Sequence, residues 1–118
     1  MKTHITRGIS MWKNRMIKII NDHFRRTMVG GKIVLTSGIR ALPKEDVLNI
    51  MEKVSTFDDF NEGNDPYQEH DYGSFEYKGK KIIWKIDYYD KAYEYASDDP
   101  SDVNKTNRVL TIMLADEY

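Results

Sequence analysis

The sequence predicts an α+β fold, with two helices packed on one face of a mainly antiparallel sheet of about four strands, in the chain order α-β-α-β-β-β. Three observations carry that expectation. Residues 81–90, KIIWKIDYYD, alternate Ile82, Trp84, Ile86 and Tyr88 with Ile83, Lys85, Asp87 and Tyr89, the period of two that marks a half-buried strand. Two earlier stretches repeat their apolar residues at helical spacing instead. A last run, Arg108 to Ala115 (RVLTIMLA), is apolar enough to close a sheet.

Taken in order, residues 1–10 show no periodicity and are expected to be a flexible segment ahead of one domain over 11–118. From Met11, the positions Trp12, Met16, Ile19, Ile20, His23 and Phe24 form a helical stripe. Gly30-Gly31 supplies the stop, so the first helix is expected over 11–28. Lys32 to Thr36 (KIVLT) reads as a short strand turned by Ser37-Gly38. Pro43 then opens a second helix, where its missing N–H costs nothing. Glu45 and Asp46 follow at the positive end of that helix dipole. Val47, Leu48, Ile50, Met51 and Val54 make its apolar face. Phe57 to Asp71 is an irregular acidic loop without Lys or Arg. Tyr72 to Tyr77 and Ile82 to Tyr89 form a hairpin across Lys78-Gly79-Lys80, and Trp84 is the expected core anchor. A polar connection over Lys91 to Asn107 leads into the final strand.

Composition bounds the function classes. The chain has 118 residues, 40% hydrophobic and 31% charged, in the range of one ordinary globular domain. The absence of cysteine removes disulfides, thiolate nucleophiles and cysteine-based metal sites. No apolar run approaches a membrane span and no export signal is visible, so the expectation is a cytoplasmic protein with no membrane partner. The net charge of −1 conceals an asymmetry: residues 1–56 sum to +7 and residues 57–118 to −8, and all eight tyrosines lie in the second part. Such a division marks partner surfaces, or two halves that neutralise each other on packing.

Four groups of residues invite a chemical reading. Asp65, Glu69, His70 and Asp71 combine carboxylates with one imidazole, a donor set suited to a divalent metal and hence to a metal-dependent hydrolase. The same loop approximates a calcium-binding loop from Asp58 to Glu69, but Phe60 stands where an oxygen ligand is required. Lys13, Arg15, Lys18, Arg25 and Arg26 on the first helix offer phosphate contacts to nucleic acid. Tyr89, Asp90, Tyr93, Glu94, Tyr95, Asp98, Asp99 and Asp102 form an acidic, tyrosine-rich set, and tyrosine gives contact area at low entropic cost. The sequence holds no Gly-x-Ser-x-Gly elbow and no phosphate-loop spacing.

The segments GGKIVLTSGIRALP, FDDFNEGNDPYQEHDYGSFE, WKIDYYD and TNRVLTIMLADEY together resemble the bacterial domain-of-unknown-function family DUF3768, over about Ile17 to Tyr118. The resemblance implies a short stand-alone protein of bacterial genomes and mobile elements, with no activity to transfer. Its motifs fall on Asp58, Asp59, Asn64, Asp65, Pro66, Glu69, His70, Asp71, Gly73, Trp84, Lys85, Asp87, Tyr88, Tyr89 and Asp90. The leading expectation is a non-catalytic, macromolecule-binding module without a cofactor. Its acidic tyrosine-rich face would engage another protein, such as a basic nucleic-acid-binding factor that it inhibits. The metal-dependent hydrolase and nucleic-acid binding through the first helix are the alternatives.

Overall fold

The structure, a computed structural model, describes residues 11–118; the flexible segment expected over 1–10 lies outside them. The elements are α1 (Met11–Thr27), β1 (Lys32–Leu35), α2 (Ser37–Arg40), α3 (Lys44–Thr56), β2 (Tyr72–Tyr77), β3 (Lys80–Tyr89) and β4 (Asn107–Leu114), followed by a 3-10 turn, Ala115–Glu117. The expected α+β class holds, and the apolar strand at 81–90 is the third of four. The sheet order is β1-β4-β3-β2. β2–β3 and β3–β4 are antiparallel, whereas β1 joins the edge parallel to β4, from Lys32↔Val109 to Leu35↔Ile112. The sheet is therefore mixed. The Ser37-Gly38 step, read as a plain turn, instead opens the short helix α2, which brings Ile39 into the core. Among the described residues no helix is long and apolar enough to cross a membrane.

Local chemistry sets the joints. α1 stops at Thr27 because Met28 turns left-handed (φ +59°) and its N–H returns to the Phe24 carbonyl at 2.7 Å; this left-handed residue comes two before Gly30. Lys78 and Gly79 both have positive φ, 48° and 80°, so the β2–β3 hairpin closes on a two-residue loop whose twist matches the strands. Glu117 reaches across to the neighbouring end of β1, at the same end of the sheet. Its carboxylate accepts Thr36 Oγ1 at 2.6 Å, Gly38 N at 2.8 Å and Leu114 N at 2.9 Å. These hydrogen bonds, with Thr36 contributing most, hold its pKa below the ordinary 4.5.

The core lies between the helices and one sheet face. Phe24, Ile39, Ile50, Val54, Ile82, Trp84, Ile86, Leu110 and Ile112 are its centre. Trp84 is fully buried (0% exposed), with Phe57 and Phe60 edge-on to the indole at 5.6 and 6.2 Å between centroids. Gly73 sits opposite it in the β2–β3 register. A Cβ there would lie 2.5 Å from Trp84 Nε1 and 2.8 Å from Phe57, so the indole occupies the space a side chain would need. On α3, Ile50 and Val54 are buried, Val47 and Met51 pack at the core edge, and Leu48 faces solvent.

α1 departs further from expectation. Its buried positions are Ile17, Asn21, Phe24 and Arg25, while Trp12, Met16, Ile19 and His23 are exposed. The helix is thus turned by roughly a third of a revolution from the all-apolar orientation. Two polar residues go inward because each finds hydrogen-bonding partners there, and burial of a satisfied polar group is tolerated.

Two outcomes are expected in denaturation experiments. Trp84→Ala is expected to lose about 3–5 kcal/mol, and Gly73→Ala about 1–3 kcal/mol through overpacking, with no change in the denaturant slope. Because Glu117 is more acidic folded than unfolded, it stabilises the fold above about pH 4.5, and this contribution disappears as pH falls through its lowered folded value. Glu117→Gln is expected to show a smaller loss of melting temperature than the wild type between neutral pH and pH 3.

Candidate functional site: a buried polar seam and two presented surfaces

The polar residues of α1 meet the acidic loop and the sheet along one seam. Arg25 is 1% exposed. Its Nη1 donates to the carbonyls of Val54 (2.8 Å), Ser55 (3.3 Å) and Phe57 (2.8 Å), and its Nη2 to Asp22 Oδ1 (3.2 Å). The guanidinium therefore caps the C-terminal end of α3, where unsatisfied carbonyls attract a cation. It also lies 5.0 Å from the Trp84 ring centroid and 5.4 Å from that of Phe60, a geometry suited to cation–π attraction. Burial lowers its pKa, and the neighbouring Asp22 carboxylate opposes that shift.

A second buried cation lies across the helix. Arg108 Nε donates to Asn21 Oδ1 at 2.7 Å, and its Nη2 to the Pro100 carbonyl at 2.5 Å. Asn21 Nδ2 in turn donates to Tyr88 Oη (2.7 Å) and to the Glu69 carbonyl (3.0 Å), and Tyr88 Oη donates to Asp71 Oδ2 at 2.8 Å. One asparagine thus ties β4, β3 and the acidic loop together. Burial, reinforced by the Asp71 charge, pushes the Tyr88 phenol well above its ordinary value, so the hydroxyl stays protonated and donates.

Of the four proposed metal ligands, Asp65 and His70 stay side by side and Asp71 turns elsewhere. Asp65 Oδ1 accepts Glu69 N at 2.9 Å and His70 N at 3.0 Å, closing the loop on itself. His70 bridges two carboxylates, with Nδ1 2.8 Å from Asp22 Oδ1 and Nε2 3.4 Å from Asp65 Oδ2, and stacks on Phe60 at 3.7 Å. Asp71 points to Tyr88 instead. Gln68 and His70 are both left-handed, each at φ +56°, a conformation that costs energy for residues other than glycine. A cleft of about 300 Å³ lies beside them, lined in part by Lys18, Phe60, Asp65 and His70. Among the described residues no group of three or more His, Asp or Glu side chains is placed to hold a metal ion. In the calcium reading, Phe60 is packed into the core edge rather than turned toward the loop centre.

The acidic tyrosine-rich set falls on two consecutive turns between β3 and β4. Asp90 N donates to the Tyr95 carbonyl at 2.8 Å, Glu94 N to Asp90 Oδ1 at 3.0 Å, and Tyr89 bridges Ala96. In the next turn Asp99 receives Ser101, Asp102 receives Asn104 N at 2.9 Å, and Thr106 Oγ1 donates to the Asp99 carbonyl at 2.8 Å. Asp90, Asp99 and Asp102 therefore hold the turns. Hydrogen bonds from Ser101, with Lys13 nearby, keep the Asp99 carboxyl below its ordinary value. Tyr93, Glu94, Tyr95 and Asp98 are left facing outward, Tyr95 at 74% exposure. Tyr89 stands 6.1 Å from Tyr93, and Lys32 Nζ lies 4.1 Å over the Tyr93 ring.

The basic set proposed for nucleic acid is broken up. Arg25 is inside the fold, a correction to its place among phosphate contacts, because the α3 carbonyls engage its Nη1 and Asp22 its Nη2. Lys13 pairs with Asp99 at 3.4 Å, and Arg26 stands 4.0 Å from Asp22. Arg15, Lys18 and Arg26 remain on or near the surface. Asn21, Asp22, Phe60 and Arg108 were missed as organising residues. A signal for Asn21 existed, since Ile17, Asn21, Phe24 and Met28 follow one helical row; nothing in the sequence marked Arg108.

The sequence profile of the family described as Protein of unknown function (DUF3768) matches residues 35–117, well over half of the chain. The chain belongs to DUF3768. The match begins at the last residue of β1, later than the resemblance from Ile17, so the DUF3768 span holds the acidic loop, β2 to β4 and both tyrosine turns, whereas Asn21, Asp22 and Arg25 precede it. No curated protein and no solved structure matches the chain.

Arg25→Ala is expected to destabilise the fold by about 3–5 kcal/mol, since it takes the buried donor from the α3 carbonyls and leaves Asp22 only His70 and the more distant Arg26. Arg25→Lys is expected to recover only part of this, because one ammonium cannot span the same carbonyls and carboxylate. Urea unfolding of the two variants checks both.

Proposed function

We propose that this DUF3768 protein acts by binding another macromolecule, through the turns that carry Tyr93, Glu94, Tyr95 and Asp98. The observation that supports the reading most is the combination of an exposed Tyr95 with a backbone held at both ends by hydrogen bonds to β3 and β4. A loop already fixed in one shape loses little entropy on binding. Exposed tyrosines supply contact area, and the acids around them select a partner of opposite charge. A basic protein fits that chemistry. Inhibition of a nucleic-acid-binding factor, bacterial origin on a mobile element and a cytoplasmic setting are finer parts of the same proposal; the first draws on the surface charge, the others on the family resemblance and the sequence.

The test is affinity capture of partners by the wild type and by a Tyr95→Ala/Asp98→Lys variant, at low and moderate salt. Both positions are exposed, so folding is expected to be unchanged. The expected result is a basic protein retained by the wild type, released by moderate salt and lost by about tenfold or more in the variant. The same partners on both chains would place the contact elsewhere.

A further inference from the structure

The row of apolar residues on α1 that the sequence assigns to the core faces outward. Trp12, Met16 and Ile19 are 63%, 40% and 56% exposed. Their spacing of four and then three, continued by the exposed His23, is that of a narrow coiled-coil seam rather than of a core-facing stripe. It runs about 16 Å along the helix. The core does not need it, because Ile17, Asn21, Phe24 and Arg25 already occupy the inward side.

The exposed charges that α1 itself carries beside this seam have one sign. Arg15 and Arg26 are exposed and Lys18 is half-buried. The one carboxylate on α1, Asp22, is engaged by Arg25 at 3.2 Å, His70 at 2.8 Å and Arg26 at 4.0 Å. Lys13, the remaining cation, is paired with Asp99. A second copy of α1 laid on the seam would set arginine against arginine with no free carboxylate between them. Phosphates would meet the cations but leave Met16 and Ile19 without apolar partners. A helix with apolar anchors and flanking carboxylates satisfies both parts of the surface.

We propose that the outward seam of α1, Trp12, Met16 and Ile19 edged by Arg15 and Arg26, is a docking site for an acidic amphipathic helix of a partner protein. It is separate from the tyrosine turns and stands whether or not they bind anything. Helix-on-helix recognition of this kind reads anchors at helical spacing and takes its selectivity from the flanking charges.

Trp12 reports on the site directly. The chain has two tryptophans, and Trp84 is sealed in the core. The probe is a stapled, monomeric helical peptide of about three heptads, with Leu at the a and d positions and Glu at e and g. Its counterpart carries Lys at e and g. Titrated into the full chain, the Glu peptide is expected to shift Trp12 emission to the blue. Its affinity is expected to fall about tenfold or more as salt is raised from low to high. A Met16→Glu/Ile19→Glu variant is expected to bind about tenfold or more weakly while its unfolding midpoint stays put, because both side chains already stand in water. Equal binding of the Glu and Lys peptides, or of neither, would overturn the proposal. So would a dimer in sedimentation that the double variant dissociates, or a Trp12 shift produced by duplex DNA or anionic vesicles but not by the Glu peptide.

Discussion

The fold depends on one guanidinium held in the dry. Arg25 reaches from α1 to the end of α3 and donates to three carbonyls there. It does so beside the rings of Trp84 and Phe60. Hydrocarbon in its place would offer those carbonyls no donor, and a carboxylate would repel them. The register of α1 follows from this: with Arg25 inward, Asn21 must also be inward, and Trp12, Met16 and Ile19 must be outward. Asn21 then finds Arg108 and Tyr88, so the two buried cations and the helix orientation specify one another.

Strand patterning was legible because it is local. The alternation through Ile82, Trp84 and Ile86, the Lys78-Gly79 turn and the apolar run before Ala115 each announce themselves within a few residues, and the sheet obeys them. The parallel seat of β1 was not legible, since nothing in KIVLT distinguishes pairing with β4 from pairing with β2. The orientation of α1 was misread for a chemical reason. Periodicity counts apolar residues, and this helix buries an arginine and an asparagine whose partners come from residues 54–57, 69, 88 and 108. Of the candidate sites, the tyrosine turns stayed together because they are contiguous. The proposed metal set does not gather on one point, because Asp65 turns back on the backbone N–H groups of Glu69 and His70 and Asp71 is taken by the Tyr88 hydroxyl.

The same rigidity that locks the interior shapes what is presented outside. Asp90, Asp99 and Asp102 commit hydrogen-bond acceptors to holding the turns, so they have fewer of them to offer a partner than the acidic composition suggests. The Lys13–Asp99 pair likewise removes one cation from the helix and one anion from the loop. Charges left exposed among the described residues include Glu94 and Asp98 on the turns and Arg15 and Arg26 on α1.

The parallel pairing of β1 with β4 carries a consequence for biosynthesis. The strand made first among the four lies beside the strand made last, and among the described residues its other edge has no neighbour in the sheet. During translation Lys32 to Leu35 must therefore wait for this pairing until Val109 to Ile112 has been made. Closure of so long a loop is slow compared with local pairing. The nascent chain meanwhile exposes an apolar strand edge of the kind that chaperones cover.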